Sequence, residues 1–208
     1  MKLKSGTRLS IFPLPGAILL PGSYLPLHIF EPRYRALVSD SLARDRRIAM
    51  IQPRPGEDGP HPALFDVGCV GRIMNVEALD DGRFNLILEG LTRFRVLREI
   101  DVATPFRQVE GAFDDFADDT KERPPLPSII RAEIEQSARD FAKARGLSLD
   151  WDDVERLDDD SLVSGLSQLS PFDVAAKQAL LEAPDLVTRA DLLCQFLRFF
   201  GPDDATLH

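Results

Sequence analysis

Residues 11–34 form an apolar stretch that proline breaks so often that few folds can accommodate it. The residues that interrupt it are Pro13, Pro15, Gly16, Pro21, Gly22 and Pro26. No helix can run through this spacing, since proline lacks the backbone donor and clashes with the preceding turn. The spacing instead predicts short extended segments joined at Pro–Gly corners. Pro32 suits the first position of a helix, and Tyr34, Leu37 and Val38 follow at helical spacing, so the stretch leads into one helix.

The remainder of the first half has the pattern of a β-rich unit. Further strands are predicted at residues 47–52, 67–79, 83–89, 93–102 and 106–109. Asp80-Asp81-Gly82 indicates a tight hairpin turn, because Asp-Gly accepts positive φ angles. Gly90 interrupts the alternation, as a β-bulge or a close approach of two backbones would. We therefore expect six or seven strands and one helix within residues 8–113, arranged as a small barrel or folded sheet.

An acidic, proline-rich segment at residues 114–127 separates this unit from a helical second half. The predicted helix boundaries there are an end at Gly146, a start near Asp150, caps at Asp160 and Ser170 with Pro171 in the first turn, and a last cap at Asp185. The fold class is thus α+β. Its predicted parts are a β-rich subdomain at 1–115, a linker at 116–127, a helical bundle at 128–201 and a tail at 202–208.

Charge and cysteine content limit the kinds of partner. The net charge is −9, with 34 acidic against 25 basic residues, which argues against nucleic acid. Arg44, Arg46 and Arg47 are the densest basic cluster, and we expect them to be a solvated helix end. Cys69 and Cys194 have no further ligand at zinc spacing and are predicted to be buried free thiols. With no signal peptide and no membrane-length apolar run, we expect a cytoplasmic protein without a membrane partner.

Catalytic motifs are absent from the sequence. It has no phosphate-binding G-x-x-x-x-G-K-[ST] loop, no G-x-S-x-G and no H-E-x-x-H. We therefore predict no catalytic residue, no metal and no cofactor. Of the histidines, His28 alternates with Leu27 and Ile29, which is typical of a hydrogen-bonded structural residue. The paired acidic residues fall in predicted turns, the linker and helix starts, where carboxylates cap backbone amides and stay hydrated.

A charged set flanks the apolar strands: Glu31, Arg33 and Arg35 at the first helix, and Arg93 and Arg95 beyond Gly90. We hypothesise that Glu31 pairs with Arg93 or Arg95, because a glutamate between two apolar neighbours would be half-buried and would need a partner. The alternative is that all five are solvated surface charges.

Three blocks of the sequence resemble one family. They are the opening stretch ending in His28-Ile-Phe-Glu-Pro-Arg-Tyr34, the segment from Gly71 to Val96 and the segment from Lys177 to Leu193. In this order they are similar to the Lon protease N-terminal, or substrate-binding, domain family, in its short stand-alone form. The resemblance implies a PUA-like β-rich pseudo-barrel followed by a helical bundle.

The same resemblance implies a function. Lon continues into an ATPase module and a Ser-Lys protease module, whereas this sequence stops at His208 before either begins. We therefore expect a non-enzymatic module that binds polypeptide segments or a partner protein, as an adaptor in proteolysis or protein quality control. The candidate binding residues are Phe12, Tyr24, Leu25, Phe30, Glu31, Arg33, Tyr34, Arg93 and Arg95. For most of the apolar members, a place in the core is the competing interpretation.

Two other functions remain open at this point. A small-molecule-binding protein or enzyme could use a pocket between barrel and bundle, with Glu31, Arg93 or His28 as its polar groups. RNA binding is a further option, since the β-rich part resembles folds that bind RNA, but the acidity of the chain argues against it. The oligomeric state is not predicted.

Overall fold

The computed structural model describes residues 4–56, 59, 61–121 and 123–201. The chain divides into two compact units, Met1–Lys121 and Glu122–His208. The predicted tail at 202–208 lies outside the described residues.

The first unit contains the strands and one α-helix. In chain order its elements are β1 (Thr7–Pro13), β2 (Tyr24–Ile29), α1 (Pro32–Ala43), β3 (Arg47–Ile51), β4 (Val67–Ala78), β5 (Phe84–Ile100), β6 (Gln108–Ala112) and a 3₁₀ helix (Asp114–Thr120). The helix predicted to begin at Pro32 is confirmed. The strands predicted separately at 83–89 and 93–102 are one continuous strand, β5.

The strands form a sheet in the order β2-β5-β4-β3-β1-β6, and β5 also pairs with β6. This second pairing closes β1, β3, β4, β5 and β6 into a barrel, while β2 extends the sheet beyond it. The long β5 makes this possible, because its first half pairs with β2 and its second half with β6. All pairs are antiparallel except β1 with β3.

Gly90 marks the point where β5 passes from the extension into the barrel. The register between β4 and β5 shifts here, as Val70 lies opposite Thr92 but Gly71 lies opposite Gly90. A Cβ atom on Gly90 would stand 2.0 Å from the carbonyl oxygen of Leu20. Both predicted reasons for this glycine, a bulge and a close backbone approach, are therefore confirmed.

The barrel is filled by apolar side chains from every strand of the ring. The central cluster comprises Leu9, Ile11, Ala49, Ile51, Val70, Phe94, Val109 and Phe113. Every second residue of a strand thus points into the barrel, and these side chains together form one core, as in other closed sheets.

Part of the predicted linker at 116–127 is folded. Residues 116–120 belong to the 3₁₀ helix, which packs on β5 and buries Phe116. Asp119 in this helix forms an ion pair with Arg93 of β5 at 2.7 Å. Sequence composition did not reveal this docking, because an acidic segment has the same composition whether its carboxylates are hydrated or paired.

The second unit is helical. Its helices are α2 (Ser128–Ala144), α3 (Trp151–Arg156), α4 (Asp159–Leu169), α5 (Val174–Glu182) and α6 (Leu186–Phe200). Gly146 follows α2 with a φ angle of 63°, which is the left-handed conformation that glycine accepts at a helix end. In the described residues of both units, no helix is long and apolar enough to cross a membrane.

The helix caps agree with the predictions in one case and differ in two. Asp185 caps α6 by accepting from the Thr188 backbone at 2.8 Å, as predicted. Asp158, and not Asp160, caps α4. Asp173 caps α5, whereas Ser170 precedes the helix. In both cases the N-cap residue is an aspartate whose side chain accepts a hydrogen bond from the backbone N–H three residues later.

Two buried cations stabilise helix ends in the second unit. Arg189 of α6 donates to the carbonyls of Leu180 at 2.8 Å and Ala183 at 3.4 Å, at the end of α5. Lys177 donates to the carbonyl of Gln168 at 2.8 Å in the last turn of α4. Because the last carbonyls of a helix are unpaired and carry partial negative charge, a cation there satisfies both hydrogen bonding and the helix dipole.

Candidate functional site

The edge strand β2 carries the most exposed aromatic residues of the opening stretch. Tyr24 at its start is 59% exposed, and Phe30 directly after its end is 60% exposed. At a rise of about 3.3 Å per residue, the two Cα atoms are roughly 20 Å apart. Within the described residues, β2 pairs with β5 and with no other strand, so its far edge is not paired in the sheet.

The pairing of β2 determines which backbone groups its free edge presents. The Gly90 N–H donates to the carbonyl of Ser23 at 2.9 Å. In an antiparallel ladder, hydrogen-bonded and non-hydrogen-bonded residue pairs alternate. Because Ser23 bonds to Gly90, Tyr24 is in a non-hydrogen-bonded pair with β5, and so are Pro26 and His28, every second residue along β2. The carbonyls of these three residues and the N–H groups of Tyr24 and His28 therefore point to the free edge. Pro26 has no N–H. An edge strand tolerates proline at such a position, because a backbone N–H there would point away from the neighbouring strand.

A chain of polar contacts runs across the exposed face of the extension. His28 Nδ1 lies 2.7 Å from Asn85 Oδ1, and the Asn85 amide nitrogen donates to Glu77 at 2.9 Å. Nδ1 therefore carries the proton, and Nε2 accepts from Arg83 at 3.3 Å. The His28 ring also stacks on Phe30, with centroids 6.2 Å apart. The predicted hydrogen bonding of His28 is confirmed, and the same contacts orient it beside an exposed aromatic ring.

An open groove of about 540 Å³ lies over this part of the sheet. Leu27, Val76, Leu86 and Ile87 supply its apolar lining, and the His28 contacts form its polar side. Its size is within the range of ligand-binding clefts, and apolar walls with a few convergent polar groups are typical of such clefts. Leu25, the neighbouring candidate on β2, is half-buried.

Two of the aromatic candidates belong to the core. Phe12 and Tyr34 are buried and pack edge to face, with ring centroids 4.2 Å apart. The Tyr34 hydroxyl donates to the carbonyl of Pro13 at 3.2 Å. Burial raises the pKa of Tyr34 above its ordinary value, an effect that the nearby Arg33 opposes. Neither ring is available as a binding surface, so for these two residues the competing interpretation is correct.

The predicted pairing of Glu31 with Arg93 or Arg95 is wrong. Glu31 pairs with Arg33 at 2.9 Å, and both side chains are partly exposed. Glu31 pairs with Arg33 because Arg33 lies only two residues away, on the first turn of α1, and this pair forms without burying either charge.

The two arginines have partners in the 3₁₀ helix. Arg93 pairs with Asp119, with side-chain exposures of 5% and 2%, and is therefore removed from the set of binding candidates. Arg95 pairs with Asp115 at 2.9 Å on the surface. Sequence reasoning missed Asp119 because it lies 26 residues from Arg93 in a segment assigned to the linker. A single apolar residue between acidic neighbours, Phe116, was the available signal that this segment docks.

The described residues contain no group of three or more His, Cys, Asp or Glu side chains that could hold a metal ion. Both cysteines are buried free thiols, as predicted. Burial raises the pKa of Cys69 and, to a smaller extent, that of Cys194. Since the thiolate is the reactive form, neither cysteine has the environment of a nucleophile.

Comparison with known proteins identifies the family. The model of the ATP-dependent protease La (LON) substrate-binding domain matches residues 8–198. The chain belongs to this family. The Lon N-terminal resemblance drawn from the three sequence blocks is thereby confirmed.

Two solved Lon domains share the fold. The structure of a Lon N-terminal domain protein from Xanthomonas campestris is 23% identical, has a TM-score of 0.64 and aligns over 91% of this chain and 98% of its own. The N-terminal domain of Lon protease from the Mycobacterium avium complex is 18% identical, with a TM-score of 0.66 over 92% of this chain and 98% of its own. The predicted α+β class is therefore confirmed.

Full Lon proteases extend beyond the matched region. Lon protease 2 of Myxococcus xanthus is 27% identical over 195 residues, which is 91% of this chain and 23% of that protein. Lon protease of Salinispora arenicola is 30% identical over 196 residues, again 91% of this chain and 23% of its own length. The chain thus spans about a quarter of the length of these relatives, and the match covers their substrate-binding domain and no catalytic module.

Proposed function

We propose that this Lon-type domain binds exposed, extended polypeptide segments of other proteins along the free edge of β2. The observation that carries the proposal is the placement of Tyr24 and Phe30, two largely exposed aromatic rings at the two ends of an edge strand. Membership of a substrate-binding domain family supports it. In this role the domain acts as an adaptor, which holds a segment while a protease or chaperone supplies the reaction.

The physical basis is strand addition combined with aromatic anchoring. The unpaired backbone groups of Tyr24 and His28 offer hydrogen bonds to an extended segment irrespective of its sequence. Aromatic side chains provide large apolar contact area and dominate binding energy at protein interfaces. The missing donor at Pro26 weakens the ladder at its centre, so binding is expected to be reversible and to depend on apolar side chains that reach the two rings.

The proposal is tested with a permanently unfolded, fluorescently labelled polypeptide and fluorescence anisotropy on the full chain. We expect the double variant Tyr24→Ser/Phe30→Ser to bind at least about tenfold more weakly, since two exposed anchors are lost. Both side chains are exposed, so the fold is expected to persist, and circular dichroism verifies it.

Phe199→Ser is the matched control, because Phe199 of α6 is also highly exposed, at 78%, and lies in the other unit. Its affinity should equal that of the unchanged protein. Absence of any binding above background, or an equal loss in the Phe199→Ser variant, would contradict the proposal.

A further inference from the structure

A separate cavity opens at the end of the barrel, where the last turns of α1 meet β1, β3 and β6. Its volume is about 220 Å³. This is smaller than a drug-sized pocket and suits a small ligand. The apolar wall is made by Leu9, Ala49 and Val70, which belong to the central core cluster of the barrel.

Charged side chains also line this cavity. Arg8, Arg44 and Arg47 contribute three positive charges, and Asp40 and Asp45 contribute two negative ones. Arg44 pairs with Asp40 at 3.0 Å, and the guanidinium of Arg47 pairs with Asp45 at 3.8 Å. The sum is one positive charge, which a singly charged anion balances. A dianion would bring an additional negative charge close to both aspartates.

Arg8 is an exposed residue of the cavity lining. Its Nε donates to the side-chain oxygen of Gln108, another residue of the cavity wall. In the part of the chain that the structure describes, its two terminal nitrogens have no protein acceptor. The planar guanidinium of arginine matches the two oxygens of a carboxylate, and hydrogen bonds between charged groups are stronger than neutral ones.

Ser41 provides an independent indication of a ligand. This residue of α1 lines the cavity and is only 2% exposed. Its hydroxyl is buried and has no hydrogen-bond partner among the described residues. Buried hydroxyl groups in native proteins are almost always satisfied, and those that are not require an explanation. An acceptor oxygen delivered by a ligand would satisfy this one.

We propose that the cavity binds a small monocarboxylate with a short aliphatic chain. The carboxylate accepts from Arg8 and from the Ser41 hydroxyl, and the chain lies against Leu9, Ala49 and Val70. Single charge, small volume and an apolar wall each select this chemistry, and together they disfavour inorganic phosphate and uncharged alkanes. The site is distinct from the polypeptide surface at β2.

The test uses the full chain and butanoate as the probe, at about pH 8, where inorganic phosphate is mostly a dianion, and at constant ionic strength maintained with sodium chloride. We expect butanoate to bind in the millimolar range by isothermal titration calorimetry and to raise the melting temperature by mass action. The isosteres n-butanol and n-butylammonium, and inorganic phosphate, should do neither. Equal binding of n-butanol or of phosphate, or no binding of butanoate, would overturn the proposal.

Matched variants locate the binding. Ser41→Ala should fold normally, because it removes a hydroxyl without a protein partner, yet bind butanoate about tenfold more weakly. Ser39→Ala on the same helix, where the exposed hydroxyl donates to the Arg35 carbonyl, should bind as the unchanged protein does. If the two serine variants bind equally, the proposal is wrong.

An arginine pair gives a second comparison. Arg8→Gln should weaken butanoate binding by about tenfold or more, as a charged donor is lost. Arg95→Gln, which removes a surface arginine paired with Asp115, should leave it unchanged. The Tyr24→Ser/Phe30→Ser variant should also bind butanoate normally, so failure of the polypeptide proposal and failure of this one are distinguishable.

Discussion

At the scale of single residues, burial separates the charges that hold the fold together from those that do not. Arg93 and Asp119 are almost fully enclosed, and Asp119 also accepts the backbone N–H of Arg93 at 2.8 Å. A second pair, between Arg95 of β5 and Asp115 of the 3₁₀ helix, lies nearby but is exposed to solvent. The buried pair joins the 3₁₀ helix to the barrel. The exposed pair contributes little to the free energy of unfolding, because water screens the attraction between its charges.

Asp119→Asn tests this difference. We expect it to lower the free energy of unfolding of the first unit by about 3–5 kcal/mol, because a buried guanidinium loses its counter-charge. Chemical denaturation followed by tyrosine near-ultraviolet circular dichroism reports it, since both tyrosines, Tyr24 and Tyr34, lie in this unit. Tryptophan fluorescence from Trp151 reports the second unit, where no change is expected.

Asp115→Asn is the matched control, with an expected effect within about 0.5 kcal/mol. Replacing both members of the buried pair with apolar residues, as in Arg93→Met/Asp119→Leu, should restore part of the lost stability. Similar effects for Asp115→Asn and Asp119→Asn would show that the pair is not buried in solution.

At the scale of elements, β5 links the two parts of the sheet, and one glycine makes this possible. Gly90 lets the strand shift register against β4 while the backbone around Leu20 lies against it. The Gly22 N–H donates to the Gly90 carbonyl at 2.9 Å, which holds the proline-rich loop to the strand. This contact positions the beginning of β2, and with it the exposed Tyr24.

Gly90→Ala should therefore be strongly destabilising. The new methyl group would meet a backbone oxygen at 2.0 Å, and we expect a loss of about 3 kcal/mol or more by chemical denaturation. Gly165→Ala in α4 is the control, because, apart from neighbouring backbone of its own helix, no described atom lies within 4 Å of the added methyl group. There alanine should stabilise by up to about 1 kcal/mol through helix propensity. Equal and small effects of both substitutions would contradict the close approach at Gly90.

The helix caps predict a specific pH dependence. The Thr188 backbone N–H, donating to Asp185, holds the pKa of that carboxyl below its ordinary value. A carboxyl with a depressed pKa in the folded state stabilises fully above its unfolded pKa of about 4, and this contribution is lost as the pH falls through the folded pKa.

Asp185→Ala should cost about 1 kcal/mol at neutral pH. Asp185→Asn should cost less and should make the decline in stability below about pH 4 shallower, because asparagine caps without titrating. Denaturation of the second unit, followed by Trp151 fluorescence from pH 7 to pH 2, measures both. If the stability of the Asp185→Asn variant falls below pH 4 as steeply as that of the unchanged protein, the role of this carboxylate is contradicted.

At the scale of the whole molecule, each of the two compact units contains one buried thiol, Cys69 in the first and Cys194 in the second. Burial raises the pKa of both, so labelling requires that the surrounding structure opens. The two thiols therefore report the opening of the two units separately within one intact chain.

We expect a thiol reagent at pH 8 to label neither cysteine rapidly in the native protein, with fully denatured protein as the reference. In the Gly90→Ala variant, Cys69 should react at least about tenfold faster while Cys194 is unchanged, because only the first unit is destabilised. Peptide mass spectrometry distinguishes the sites. Equal acceleration of both would show that the units open as one.

The sequence by itself determined the features that depend on near neighbours. The proline spacing of the opening stretch excludes a helix until Pro32 begins one, Gly90 marks a bulge, and Asp185 caps the last helix. Steric limits on proline and glycine, and hydrogen bonds that span three residues, act within a few positions of the chain. The sequence blocks also identified the family and hence the fold class.

Only the tertiary structure decided which side chains are buried and which partners they take. Phe12 and Tyr34 lie in the core while Tyr24 and Phe30 face solvent, although all four are aromatic residues of one stretch. Alternation along a strand gives two faces but does not say which of them another element will cover. The partner of Arg93 lies 26 residues away, and such contacts depend on how whole strands pair and close into a barrel, which no local pattern encodes.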